Sequence, residues 1–307
     1  MMTTTVAAPA AAAPVTEAKV RRGWTQHGML FVAPFLLIYV AFLVWPVLLG
    51  LRMSLSSVNI AGTNNHFIGF ANYGEAFSDP LMWHSLWNTV VFTVLSTIPL
   101  VLLGLVFALL VHNLRFVQWL WRLSFFGPFL LPSAVVSILW LQMIYPPGYG
   151  LINGTLGTDV PWLSDTSTAM LSMVLTTVWW TVGFNFLLYL AALQSIPQHL
   201  YEAAAIDGAS AWHRLRSITL PLLGRTTALI VVLQLLASLK VFDQIYLMTA
   251  GGPENSTRSI IEYAYDMGFT GYRTGYASAV SYILFVLIVI VSLVQLRLFR
   301  KRAEVSS

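Results

Sequence analysis

Apolar residues in this chain come in long runs separated by shorter polar stretches. A helix that crosses about 30 Å of hydrocarbon needs about 20 mainly apolar residues. Six runs reach that length, over approximately residues 29 to 51, 86 to 111, 123 to 144, 170 to 193, 226 to 248 and 278 to 298. The pattern predicts an all-α membrane protein with six transmembrane helices. One stretch breaks it. Residues 201 to 223, "YEAAAIDGASAWHRLRSITLPLL", have the Ala-rich, Gly-broken composition of a helix in water, yet they lie between two apolar runs.

Composition agrees with a membrane protein. Of the 307 residues, 57% are hydrophobic and 9% charged, with mean hydropathy +0.75, whereas an ordinary globular domain is about a quarter charged. The first run follows an Ala/Pro/Thr-rich tail carrying Lys19, Arg21 and Arg22. It is too long for a signal core, and "GLRMSLSS" after it offers no small-residue cleavage site, so it reads as an uncleaved anchor. Residues 1 to 18 are low in complexity and are expected to be disordered.

Basic residues accumulate in short cytoplasmic loops. With the N-terminal tail inside, Lys19, Arg21, Arg22, Arg115, Arg122, Arg214, Arg216, Arg225, Arg297, Arg300, Lys301 and Arg302 fall on the cytoplasmic side. Only Arg52, Arg258 and Arg273 lie outside, among Glu75, Asp79, Asp159, Asp165, Glu254, Glu262 and Asp266. Both termini are therefore expected in the cytoplasm. The layout is a tail over 1 to 28, a six-helix membrane domain over 29 to 299 and a tail over 300 to 307. This topology accounts for the net charge of +4 without nucleic acid. The chain has no Cys, and no two of its 6 His fall at metal-ligand spacing within a span, so no metal site is expected.

The segment from Gln194 to Arg225 becomes the largest internal cytoplasmic loop. Its residues predict two short helices: good helix formers over 198 to 206, Gly208 as a left-handed C-terminal stop, Ser210 as the next N-cap, and Pro221 as the end of the second helix. Ala203, Ala204 and Ala205 leave one side of the first helix without bulk, where another backbone could approach, with Glu202 and Asp207 adding charge nearby. Composition alone favours a solvated amphipathic linker.

The spacing of Glu202, Ala203, Ala204, Gly208, Ile218, Leu220 and Pro221 resembles the EAA-x3-G-x9-I-x-LP signature of the permease subunits of bacterial ABC importers. The stretches "APFLLIYVAFLVWPVLLGLRMSLS", "FIGFANYGEAFSDPLMWHSLWNTVVFT", "GLINGTLG" and "FDQIYLMTAGGPENST" extend the likeness over nearly the whole chain. They are similar to the carbohydrate-uptake branch, which includes maltose, glycerol-phosphate and trehalose importers. The resemblance implies the six-helix type I importer permease fold in a prokaryotic cell membrane. It also implies a second permease subunit, a cytoplasmic ATPase dimer that binds ATP and Mg, and an extracytoplasmic sugar-binding protein. Glu202, Ala203, Ala204, Asp207 and Gly208 would then couple to the ATPase. None of the three Lys residues follows Gly in a phosphate loop, so this chain is expected to be no enzyme and to bind no cofactor itself. The outer segments 53 to 85, 145 to 168 and 249 to 277 are too short for cores of their own and would form the landing surface for the binding protein.

Polar groups at membrane depth are costly unless they face a cavity or a partner. A continuous fifth helix would place Gln234 and Ser238 on one face, and Lys240, Asp243 and Gln244 on another, where Lys240 and Asp243 could pair or bond the second permease. By resemblance, counting back from "GGP" and from the EAA segment places sugar-lining positions at Gln234, Ala237, Ser238 and Val241, and at Trp180, Thr181 and Phe184. Gln234, Ser238, Thr181 and Trp180 supply the amide, hydroxyls and aromatic face that a sugar, for example a disaccharide such as trehalose, requires. Packing alone would equally explain Trp180 and Phe184, and interhelical bonding would explain Asn185 and Gln142. Two other functions fit less of the sequence. A stand-alone secondary transporter usually shows internal repeats and interrupted helices, for which only Pro128 and Pro132 in the third span speak. A membrane-embedded glycosyl transferase needs convergent carboxylates, which are absent from this pattern.

Overall fold

The computed structural model describes residues 26–59, 61, 65–112, 114 and 117–305, with side chains described from 31 to 297 of these. The low-complexity tail, the cluster Lys19, Arg21 and Arg22, and Arg115 lie outside the described residues, as do the side chains of Arg300, Lys301 and Arg302. The chain falls into two compact units, one ending at Leu49 and the other starting at Gly50.

In the first unit an apolar helix, Gln26–Tyr39, widens into a π turn over Val40–Val44 and resumes at Trp45. Pro46 explains the widening. A proline has no N–H to give the carbonyl four residues back, and its ring crowds that turn. The residue before it, Trp45, instead donates to the carbonyl of Val40, five residues back. The same arrangement recurs in the second unit. Tyr145 donates to Trp140 ahead of Pro146, and Leu220 donates to Leu215 ahead of Pro221.

Among the described residues, four helices are long and apolar enough to cross a membrane: Phe31–Ser54, Pro80–His112, Ala169–Gln194 and Thr274–Arg297. Two further candidates are bent helix pairs, Gln118–Leu130 with Ser133–Ile144 at 98°, and Ala211–Leu222 with Gly224–Ser238 at 58°. The count is thus four, or up to six if each pair is one span, and the second pair reaches six only by drawing on residues 211–222, which lie outside the expected span over 226 to 248. The third span is thus not a continuous helix. Pro132 restricts the residue before it to extended backbone, and Leu131 has φ −76° and ψ 138°.

The fifth span needs two corrections. Pro221 does not stop the preceding helix, which runs on through Leu220–Leu222 and turns at Leu223. Nor is the span helical to residue 248. It ends at Ser238, tightens as Lys240 and Val241 donate to carbonyls only three residues back, and restarts as Asp243–Met248. Lys240 and Asp243 therefore do not share a helix face, and they form no ion pair with each other; both are exposed.

The second and fourth spans pack against each other where small residues permit. A Cβ on Gly104 would lie 2.9 Å from the Cβ of Asn185, and one on Gly183 would lie 2.0 Å from the carbonyl oxygen of Phe125 in the third span. Glycine is required at both positions by this close approach. Val111, Leu193 and Leu223 share one buried cluster with Phe186 and Ile230. Tyr145, Met173, Ile245 and Met248 share another with Phe92 and Trp140. These clusters mark opposite ends of the bundle. Residues 195 to 223 emerge at the first end, and segments 145 to 168 and 249 to 277 lie at the other.

Candidate functional site

The polar stretch forms the two predicted helices. Gln198–Ile206 is the first, and Gly208 follows with φ +75°, as a left-handed stop requires. The amide of Ala209 donates to Ala204 (2.9 Å) and that of Gly208 to Ala205 (3.1 Å), the paired bonds that close a helix through a left-handed residue. Ser210 then caps the second helix, its hydroxyl accepting from the amide of His213 at 3.3 Å. Tyr201 and Thr219 join the two helices through their hydroxyls at 2.9 Å.

Glu202, Ala203, Asp207 and Gly208 are exposed and Ala204 is half-buried. A Cβ at Gly208 would meet nothing within 4 Å, so the space beside it is open. Two apolar side chains that the sequence reading passed over complete this surface: Ile206 is 87% exposed and Trp212 is 67% exposed. Ile206 closes the first helix beside the small residues Ala203, Ala204 and Ala205, and Trp212 opens the second between Ala211 and His213.

The five residues expected to line a sugar path fall into two sets. Gln234 and Ser238, 8% and 4% exposed, face the second and fourth spans. Asn185 donates from Nδ2 to Gln234 Oε1 (3.3 Å) and to the carbonyl of Leu100 (3.2 Å). Gln234 Nε2 donates to the Ser238 hydroxyl at 3.4 Å, which also bonds Ser96 at 3.0 Å. These groups satisfy one another between helices, so a ligand would have to displace those bonds. Asn185, read as interhelical, is at the centre of this network.

Trp180 and Phe184 form the second set, on the side of the fourth span that faces the broken third one. Trp180 Nε1 donates to the Leu131 carbonyl (3.2 Å), and Phe184 stacks on Phe129 at 5.2 Å. Thr181 bonds its own helix at the Thr177 carbonyl (2.8 Å). Among the described residues, no hydrogen bond or ring contact joins the two sets. Gln244, expected on the face of Lys240, turns instead to the fourth span, accepting from Thr177 (2.7 Å) and donating to Met173 O (3.1 Å).

The opposite end of the bundle is tightly bonded. Asp79 caps the second span by accepting from the Leu81 amide (2.8 Å), with Pro80 at the first helical position. Its other oxygen accepts from Tyr263 and from Tyr276 (2.9 Å). Burial would raise its pKa, but the two phenols and the backbone amides outweigh that and hold it below the usual carboxylate range. Asn88 donates to the carbonyls of Asn255 (2.8 Å) and Arg258 (3.3 Å), which fastens the "GGPENST" loop to the second span. Arg258 pairs with Asp266 at 2.8 Å and Arg273 with Glu75 at 2.6 Å.

The chain and its fold have known relatives. Residues 83–304 match the family described as binding-protein-dependent transport system inner membrane component. The chain is 34% identical over 279 residues to the sulfoquinovosyl glycerol transport system permease SmoG of Agrobacterium fabrum, covering 89% of this chain and 90% of SmoG. It is 37% identical over 285 residues to the sn-glycerol-3-phosphate transport system permease UgpA of Salmonella typhimurium, covering 90% and 94%. A chain of the bacterial alginate ABC transporter, solved in complex with an alginate pentasaccharide-bound periplasmic protein, superposes with TM-score 0.78 at 25% identity, covering 92% of this chain and 96% of that one. The helical architecture is thus that of the type I ABC importer permeases, and the chain belongs to the family of binding-protein-dependent transport system inner membrane components, the permease subunits of ABC importers.

Proposed function

We propose that this chain is one of two permease subunits of an ATP-driven sugar importer in a prokaryotic cell membrane. Its exposed two-helix segment is the lever gripped by a separate ATPase. One observation carries this reading: the segment is internally capped, yet Ile206 is 87% and Trp212 67% exposed, and the space beside Gly208 is open among the described residues. Apolar side chains held on an exposed element are what a docking cleft buries. Glu202, Ala203, Ala204, Asp207 and Gly208 then contact a cytoplasmic ATPase dimer, which binds ATP and Mg. The loop and both termini lie in the cytoplasm, lipid and a second permease cover the apolar helices, and a sugar-binding protein docks on segments 53 to 85, 145 to 168 and 249 to 277.

Relatives named for a glycosyl glycerol and for alginate support a carbohydrate cargo, and a disaccharide such as trehalose is the proposed one. Trp180, Thr181 and Phe184 are half-buried and accessible to it. Gln234 and Ser238 join the path only when the second and fifth spans part.

The test uses the absence of Cys in the chain. A single Ala203→Cys variant, co-expressed with the ATPase carrying a cysteine in its cleft, is expected to crosslink. Gly208→Phe is expected to remain in the membrane and lose ATP-dependent uptake. Normal uptake by Gly208→Phe, or uptake driven by an ion gradient in ATP-depleted cells, would overturn the reading.

A further inference from the structure

A cavity of about 470 Å³ opens at the end of the bundle opposite the two-helix loop, between segments 145–164 and 248–253. That volume lies within the range of small-ligand sites. Nothing in the expected path through the spans uses it. Its chemistry is specific in three respects.

The first is aromatic. Tyr145 and Trp162 line the cavity with ring centroids 5.9 Å apart. Their polar ends are occupied elsewhere: the Tyr145 hydroxyl donates to the Ser172 carbonyl (2.7 Å), and Trp162 Nε1 donates to Asn153 Oδ1 (3.0 Å). The rings therefore offer apolar surface, which suits the C–H face of a pyranose.

The second is the balance of donors and acceptors. Pro146, Pro147, Pro161 and Pro253 line the wall and carry no N–H. The carbonyls of Pro146 and Pro161 each accept more than one bond within the chain, and the Thr249 hydroxyl bonds Ile245 and Thr257. Those of Pro147 and Pro253 each accept one amide, from Tyr149 and Ser256, and keep a second lone pair, and Ser164 adds an exposed hydroxyl, so what the wall leaves free is mainly acceptor. A polyhydroxylated ligand brings the donors that are missing. The third is charge. No Asp, Glu, Lys, Arg or His lines the cavity, and an ionised group entering it would lose hydration with nothing to replace it.

The wall is also preformed. Asn153, 1% exposed, donates to the carbonyls of Pro146 (3.3 Å) and Val160 (2.9 Å), and accepts from Thr158, the Val160 amide and Trp162. On the other side, Thr257 bonds the Gly252 carbonyl (2.7 Å) and the Thr249 hydroxyl (2.8 Å). Such preorganisation lowers the ordering cost of binding.

We propose that this cavity is an outer reception site for an uncharged pyranoside, which excludes phosphorylated and other anionic sugars; the proposal rests on the carbohydrate-permease reading above. The test is photolabelling of the full transporter in nanodiscs with diazirine-bearing methyl glucoside and diazirine-bearing trehalose, followed by peptide mapping. Label is expected within residues 145–164 or 248–253, displaced by unmodified neutral sugars and at least tenfold less by glycerol 3-phosphate. Ser164→Trp fills the cavity from an exposed position and is expected to abolish the label, as is Trp162→Ala. Label absent from both segments, retained in Ser164→Trp, or displaced equally by the phosphate ester would overturn the proposal. ATP-driven sugar uptake is measured on the same preparation. Intact uptake with no label there refutes the reception site alone, whereas no ATP-dependent uptake of any carbohydrate refutes the reading beneath it.

Discussion

Glu262 provides a quantitative test of the structure at the end that carries the "GGPENST" loop. It is 1% exposed, its Oε2 has no hydrogen-bond partner, and a Cβ added to Gly251 would lie 3.1 Å from that oxygen. Arg258 is nearby, but its guanidinium is engaged by Asp266 at 2.8 Å. Burial raises the Glu262 pKa to about 7; Arg258 opposes the rise and Asp266 adds to it. A carboxyl raised in the folded state favours the folded protein while protonated. Its contribution is complete below the unfolded value of about 4.3, falls as pH rises toward about 7, and levels off above that. At about 1.4 kcal/mol per pH unit, the loss across that window is about 4 kcal/mol. At the roughly 2 to 4 °C per kcal/mol of domains of about 150–250 residues, that corresponds to a drop in Tm of roughly 8 to 16 °C. Thermal unfolding in detergent micelles, followed by intrinsic fluorescence from pH 5 to pH 8, reads this directly. The wild-type Tm is expected to fall with pH, and Glu262→Gln, which cannot ionise, to be flatter by most of that amount. Equal slopes for the two proteins, or a wild-type Tm that rises with pH through Glu262, would refute the placement of this carboxyl.

Gly183→Ala puts a methyl 2.0 Å from the Phe125 carbonyl oxygen, which is expected to cost more than about 3 kcal/mol; Gly154→Ala, with nothing within 4 Å, is expected to leave Tm within a few degrees. Asn153→Ala removes the hub of the 145–168 segment, and hydrogen exchange is expected to speed at the Val160 amide while the fourth span stays protected. Asp79→Asn weakens the acceptor of two tyrosine hydroxyls and the cap of the second span, with an expected cost of about 2 kcal/mol at neutral pH. Because the Asp79 pKa is depressed in the folded state, the wild-type advantage is present above about pH 4 and is lost as pH falls further, so the two proteins are expected to converge in acid unfolding curves.

What could be read from sequence follows the range of the physics involved. The two short helices at 198–206 and after Ser210 were legible because a glycine stop and a serine cap act within a few residues. The apolar runs were legible because membrane thickness sets their length. The break at Leu239 to Phe242 was not, since hydropathy counts side chains and says nothing of backbone pairing; of the two roles open to Lys240 and Asp243, pairing on one helix face failed with it. The break before Pro132 had a visible cue in the proline. Gln234 and Ser238 were placed on a polar face, but a single sequence does not reveal that Ser96 and Asn185 meet them. In the outer segments, the Asp79-Pro80 pair is an N-cap signature that deserved weight, whereas the bonds of Asn153 depend on a loop geometry that no local rule supplies.

These features fit together mechanically on the proposed reading. The fourth span is held by close backbone contact at Gly183 and Gly104, by the Asn185 bonds and by the Trp180 bond to Leu131. The helix Gly224–Ser238 follows a 58° bend at Leu223 and is interrupted again after Ser238. The two-helix segment joins these unequal partners, with its halves tied by Tyr201 and Thr219. A force on Ile206 and Trp212 therefore meets a fixed helix on one side and a jointed one on the other, and the jointed one moves. Movement of the fifth span strains the bonds of Ser238 with Ser96 and of Gln234 with Asn185, the polar contacts that close the middle of the bundle. Their combined worth, a few kcal/mol at about 1 kcal/mol per bond, is small enough for nucleotide-driven closure of a partner to overcome and large enough to keep the spans together without it.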